Sequence, residues 1–246
     1  MGDFLKLLLP LFLSPKDYSE MLKKLASFLF YDVWIVTFLL RGIPAIDAAF
    51  NSVENFGAVG QAISLIPCHE KLNISGLVIA LIVAGVSYAI QLHDRISDLF
   101  GIRSRFDRNY ILLPLAVLVG VELSPAQLNA MIANRDPLLR VVFYPYVSSR
   151  AEHPLVDRHD IERALDAWSW YWLLIEPLPI VLIALLVAAF FKAYGLLVGF
   201  CAAFISLWLL AWLFSLRLER FTRPEIETIA ADPTARLAVR EAFNAL

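Results

Sequence analysis

The sequence predicts an all-α membrane protein. Four transmembrane helices are expected, with a small, mostly helical cytoplasmic insert between the second and third. Residues 195–216, GLLVGFCAAFISLWLLAWLFSL, carry no charge over 22 positions. At 1.5 Å rise per residue, about 20 apolar residues cross the ~30 Å hydrocarbon core. Residues 74–92 form a second stretch without charge. Composition agrees: 59% of the 246 residues are hydrophobic and mean hydropathy is +0.67. Charged residues make up 18%, against about 25% in soluble domains. The net charge of −2 selects no partner class.

Residues 1–24 read as interfacial N-terminal helices. Residues 3–13 are too short to span and read as an anchor in the headgroup region, with a signal-like start of the first span as the alternative. Lys6 and Pro10 interrupt them and no small-residue cleavage site follows, so they are not a cleavable signal peptide. Ser14 and Pro15 read as N-cap and first residue of a helix that enters the first span, 25–46. Residues 47–73 form an exterior loop. The second span, 74–92, repeats small residues every four positions at Gly76, Ala80 and Ala84. Such a row lets helix backbones approach closely. Packing within the bundle is the plain reading, and a subunit contact or pore-lining face the sharper one.

The long polar region, 93–167, is the expected cytoplasmic Arg-rich domain. Its apolar run after Tyr110 is too short to span and reads as the domain's core helix or strand, with a re-entrant segment as the alternative. Ser124-Pro125 starts a helix ended by Asn134 and Pro137. Residues 138–147 look strand-like, and 157–168 helical. Trp168, Trp170, Tyr171 and Trp172 form an interfacial aromatic belt ahead of the third span, 173–191. A tight turn at Lys192 to Tyr194 leads into the fourth span. Residues 168–216 thus make a second transmembrane hairpin, and 217–246 a cytoplasmic C-terminal tail with one or two short amphipathic helices.

Charge sets the orientation. The N-terminal segment carries Lys6, Lys16, Lys23 and Lys24, the insert nine arginines and the tail five. The exterior loop has Lys71, with Arg41 just before it, and the hairpin turn has Lys192. Positive residues stay inside, so both termini and the insert face the cytoplasm. Four spans require the same alternation. Of the two cysteines, Cys68 falls outside and Cys201 within the fourth span, so no disulfide framework is expected.

Arg95, Arg103, Arg105 and Arg108 follow the second span directly. The guanidinium fork suits phosphate, and Phe100, Phe106 and Tyr110 are interleaved, which suits stacking. A nucleotide or single-stranded nucleic acid is therefore one candidate ligand. The plainer reading is juxtamembrane arginine meeting anionic lipid, with Asp94, Asp98 and Asp107 pairing some of them. Glu176 lies at the entrance of the third span beside Pro177 and Pro179, and Asp32 has similar depth in the first. Ionisable groups in a span are costly and often functional. The two carboxylates and the prolines are candidate pore or gate residues, unless Glu176 still sits at headgroup level. His93-Asp94 and His159-Asp160, with His153 nearby, could serve a metal-dependent hydrolase. No HExxH, CxxC, GxSxG, P-loop or GxGxxG appears. No catalytic residue, metal or cofactor is assigned.

In layout the chain resembles the small multi-span membrane effectors of bacterial anti-phage defence, the Hailong-type effector first and the Kiwa membrane subunit second. The exit from the second span, IQLHDRISDLFGIRSRFDRNYILLPLA, and the closely coupled last hairpin carry the resemblance. It implies a homotetramer whose opening depolarises the inner membrane of an infected cell. Four helices enclose too little space for a wide aqueous path, so conduction would need a symmetric homo-oligomer. Beside a ligand-gated pore stand a non-conducting scaffold or receptor subunit for a cytoplasmic regulatory protein, and the membrane-bound hydrolase. Expected partners are the bilayer, copies of the chain, an anionic ligand and that regulatory protein.

Overall fold

The computed structural model describes residues 14–56, 73–147 and 155–246; among these the ordered elements are helices and no strand forms. The expected anchor at 3–13, Cys68 and His153 lie outside the described residues. Two helices, Arg158–Phe190 and Tyr194–Ala231, are long and apolar enough to cross a membrane. The number rises to four if two bent helix pairs are each counted as one span. The chain divides into two compact units. The first contains Leu22–Leu92 and Trp170–Leu213, and the second contains residues 14–21, His93–Ser169 and Phe214–Leu246.

Helix α1 (Tyr18–Leu40), which belongs to the first unit from Leu22 on, is capped not by Ser14 but by Asp17, whose carboxylate accepts from the Glu20 N–H at 2.9 Å. The chain turns at Arg41-Gly42, and Ile43 is extended, as a residue before proline prefers. Pro44 then opens α2 (Pro44–Glu54), bent 114° from α1. The expected 47–73 loop therefore begins as helix. Helix α3 (Ile74–Ile90) is N-capped by Asn73 and closed by Gln91 in the left-handed region, φ 51°. Its buried side is small, with Gly76, Ala80, Ala84 and Ser87 inside, while Val78, Leu81, Ile82 and Val86 face out. An inner face of small residues and an outer face of large apolar ones is the reverse of a soluble amphipathic helix and suits a lipid surround. Val36 packs with Val181, Ala184, Ala188 and Phe200 in this unit's core.

The second unit starts with α4 (Leu92–Leu99). Gly101, at φ 61°, turns the chain into α5 (Ile102–Phe106). A π-helical stretch, Asp107–Leu112, leads into α6 (Leu113–Leu118). Pro114 has no N–H to return to Tyr110, so regular α-helix bonding cannot pass through this point. Leu112, Leu115 and Val119 are buried, so the apolar run near 110–122 is the core helix of this unit. Ser124 and Gln127 form a reciprocal capping box for α7 (Pro125–Ala133). Residues 138–147 are not strand-like: α8 (Arg135–Val142) and α9 (Tyr144–Val147) occupy them. Leu138, Leu139 and Val142 share one buried helical face, and that packing overrides composition. Pro137 lies in the first turn of α8, where proline is tolerated, and ends nothing.

Three later elements differ from expectation. Helix α10 (Arg158–Ile175) joins the expected 157–168 helix to the start of the third span, and α11 (Pro177–Phe190) follows. Helix α12 (Tyr194–Ala231) runs 38 residues, well past Leu216, and α13 (Pro233–Asn244) is capped by Asp232. The tail is thus not separate at 217; from Phe214 it belongs to one unit with the insert. Trp172 and Tyr171 are buried inside the protein, while Trp168 stacks edgewise on Phe106 at 4.1 Å between centroids. Trp170 meets Phe28 and lies under the Lys24 ammonium, 4.9 Å from its ring. The expected belt is largely internal packing, with one cation–π contact.

Candidate functional site

Two carboxylates meet in the first unit. Asp32 on α1 is half-buried, and Glu176, between α10 and α11, is buried and near enough for the charges to interact. The backbone at Glu176 stays helical, φ −59° and ψ −34°, so the prolines bend no sharp corner here. Pro177, buried, and Pro179, exposed, nonetheless lack the N–H groups that would bond the carbonyls of Leu173 and Ile175. Two acidic side chains and two carbonyls without their usual helical partners concentrate oxygen acceptors over one short stretch. Such a stretch attracts cations or protons and repels anions.

The four arginines do not converge on a common point. Arg103 is held within the second unit: it donates to Asp94 at 3.2 Å and to the Tyr144 hydroxyl at 3.1 Å. Its Nε lies 3.8 Å from Asp107, and its backbone N–H donates to Ser97 at 3.0 Å. Arg105 folds back onto the carbonyls of Phe100 and Gly101, at 2.5 and 3.2 Å. Arg108 donates to Asn109 at 2.9 Å. Arg95 and Arg105 are the exposed members.

Around Arg103 lies a polar network of which the sequence reading held only the Asp94 and Asp107 partners, not Tyr18, His93 or Arg135. The Tyr18 oxygen is 2.7 Å from His93 Nε2, and its hydroxyl donates to Asp94 at 3.2 Å. His93 Nε2 is also 3.3 Å from Asp94. Burial lowers the His93 pKa, favouring a neutral ring that donates its N–H to Tyr18. Burial likewise pushes the Tyr18 phenol up, so it stays protonated. Asp107, in the π-helical stretch, is pushed up to about 6 by burial, against the pull of Arg103 and Arg135. Arg135 reaches Asp107 at 3.3 Å and Asp136 at 2.9 Å. His159 is exposed on the first turn of α10. Among the described residues no group of three or more metal-ligating side chains comes together.

A third constellation also escaped the sequence reading. Arg41 Nε donates to Asn73 at 2.9 Å, while its other nitrogens reach Asp47 and Asn51, each at 3.2 Å, and Glu54. Glu54 accepts from the Ser75 N–H at 2.9 Å. Asn73 donates to Thr37 at 3.1 Å and accepts from the Gly76 N–H at 3.0 Å. One arginine thereby ties the end of α1, the polar face of α2 and the start of α3. The 47, 51, 54 spacing of polar residues was the available signal, because it marks one face of a helix. The small row reads accordingly: Gly76, Ala80 and Ala84 all lie on the buried side of α3.

The profile of the YmfE protein family matches residues 17–245. An uncharacterized protein of Escherichia coli (strain K12), YmfE, is 26% identical over 193 residues, covering 74% of this chain and 74% of that protein. No solved structure matches.

Proposed function

We propose that this chain, which belongs to the YmfE protein family, is a multi-pass inner-membrane protein that assembles with copies of itself into a gated pore. It has four spans, with both termini and the 93–167 region cytoplasmic. Tetramer assembly, control by an anionic ligand such as a nucleotide or oligonucleotide, and a role as a membrane effector in anti-phage defence complete the proposal. The observation that carries it is the Asp32–Glu176 pair. A bilayer-spanning unit has little reason to keep two neighbouring carboxylates unless they handle a cation or a proton. Pro177 and Pro179 leave the Leu173 and Ile175 carbonyls without their usual helical donors on the same stretch as Glu176. Control by a ligand would rest on Arg95 and Arg105, whose side chains are exposed, whereas Arg103 and Arg108 are half-buried and engaged within the protein.

The engagement of those two arginines favours a second reading: a non-conducting scaffold or receptor subunit for a cytoplasmic partner. One experiment separates the two. The purified protein is reconstituted in phosphatidylethanolamine–phosphatidylglycerol vesicles and potassium and proton flux are read by dye, with and without a short DNA oligonucleotide. The pore predicts flux that falls several-fold in Asp32→Asn/Glu176→Gln and changes in Arg95→Ala/Arg105→Ala. Absence of flux under both conditions, with the protein folded, would overturn the pore and leave the scaffold.

A further inference from the structure

Helix α2 has two unlike faces. Asp47, Asn51 and Glu54 share one side and are gathered by Arg41. Ala45, Ala49 and Val53, spaced by four, share another and are exposed, with Val53 at 59% and the following Phe56 at 76%. Ile46 and Phe50 lie between the faces, and Phe50 packs beneath the Arg41 guanidinium at 5.2 Å. No residue of α2 is buried. Arg41 therefore ties down the polar side through Asp47 and Glu54, while the Ala45, Ala49 and Val53 side stays exposed. In water this arrangement is costly at roughly 25 cal/mol per Å² of apolar surface.

The bend says what covers the bare face. Helix α2 turns 114° from α1, somewhat past perpendicular. If α1 follows the bilayer normal, α2 lies close to the membrane plane and dips back toward the acyl chains at its Val53–Phe56 end. The exposed apolar surface is also continuous in the chain with that of α1, where Ile35, Phe38 and Leu39 are exposed just before the turn. We infer that α2 is an interfacial helix which docks the protein on the lipid headgroup boundary of the outer leaflet, with Arg41 fixing its roll so that Ala45, Ala49, Val53 and Phe56 enter the membrane. Amphipathic helices lie in the interface in this way, with the apolar face sunk about 5–10 Å. The inference rests on the membrane reading above and adds a lipid contact to it.

The test is spin-label accessibility in the same vesicles, in a Cys68→Ser/Cys201→Ala background. Single cysteines replace Ala49, Val53 and Phe56 on the apolar side, Asn51 and Asn55 on the polar side, and Leu209 on α12 as a lipid reference. The expected result is a several-fold higher ratio of oxygen to nickel-complex collisions at 49, 53 and 56 than at 51 and 55. Equal nickel access at all five positions would place α2 in water. Exclusion of both reagents from 49, 53 and 56 would mean a second copy or another protein covers the face. Either result overturns the inference. Position 209 keeps the two ideas apart: lipid exposure there with water at 53 sinks the docking helix alone, whereas water at both sinks the membrane reading as well.

Discussion

A Cβ on Gly76 would stand 2.0 Å from the Asn73 side-chain Nδ2 and 2.4 Å from the Thr37 hydroxyl. The cap of α3 and its tie to α1 would both have to move. Gly76→Ala should cost about 1–3 kcal/mol, from the lost cap and from overpacking. Gly85 is the control, since nothing lies within 4 Å of its Cβ position; Gly85→Ala should be neutral or stabilising by up to about 1 kcal/mol. Melting in detergent checks the pair, and equal shifts would contradict the geometry. Glu225, on α12 beyond the apolar stretch, supplies a pH signature. Burial, and after it the charge of Asp160, hold its pKa up at about 8. The folded state therefore binds this proton more tightly than the unfolded state. Stability contributed by the protonated group is lost as pH climbs from the ordinary glutamate range through the folded value, and the loss levels off above it. The melting-temperature advantage of Glu225→Gln over the native protein should widen between about pH 5 and about pH 8 and then flatten. A difference that does not vary with pH would rule out the buried carboxyl as its source. The arginines show what linear proximity hides. Arg103 and Arg105 are neighbours in sequence, but two residues on a helix point away from each other, and the left-handed turn at Gly101 separates Arg95 from both.

At the scale of elements, α3 is the most legible helix. Its row of small residues was readable every four positions, and the structure places that row on the buried side. Ala80 is 0% exposed, so Ala80→Leu should lower stability by roughly 1–3 kcal/mol through overpacking. Leu81→Ala, on the outer face, should leave melting in detergent nearly unchanged. If both variants melt alike, the inner face is assigned wrongly. Legibility failed where one signal stood in for another. Arg217, Arg220 and Arg223 mark where the apolar surface of α12 ends, not where its hydrogen bonding ends, and the helix continues through Pro224 to Ala231. Residues 138–147 have strand-like composition, but a stretch with one buried helical face follows its packing.

For the whole molecule, the proposed orientation puts one native cysteine outside and the other within the bilayer. A membrane-impermeant maleimide should label Cys68 in intact cells and leave Cys201, half-buried in α12, unlabelled. Labelling of Cys68 only after permeabilisation would reverse the orientation or reduce the number of spans. The two-unit division was legible only in part. The insert stood out by its polarity, but its joining with the chain after Phe214 depends on long-range burial of Ile229, Val239 and Phe243, which no local pattern reveals.

The Arg41 cluster has a consequence for how the protein is made. In the proposed orientation Arg41 lies at the exterior end of the first span, and it would have to be moved across the membrane against a potential worth about 2.3 kcal/mol per charge at 100 mV. Asp47 and Glu54 follow within 13 residues and travel in the same translocated segment. With its two acidic partners, Arg41 forms a group of net charge −1, which that potential pulls outward. In that orientation the acidic partners that fasten α2 would also turn an obstacle to export into a small driving force.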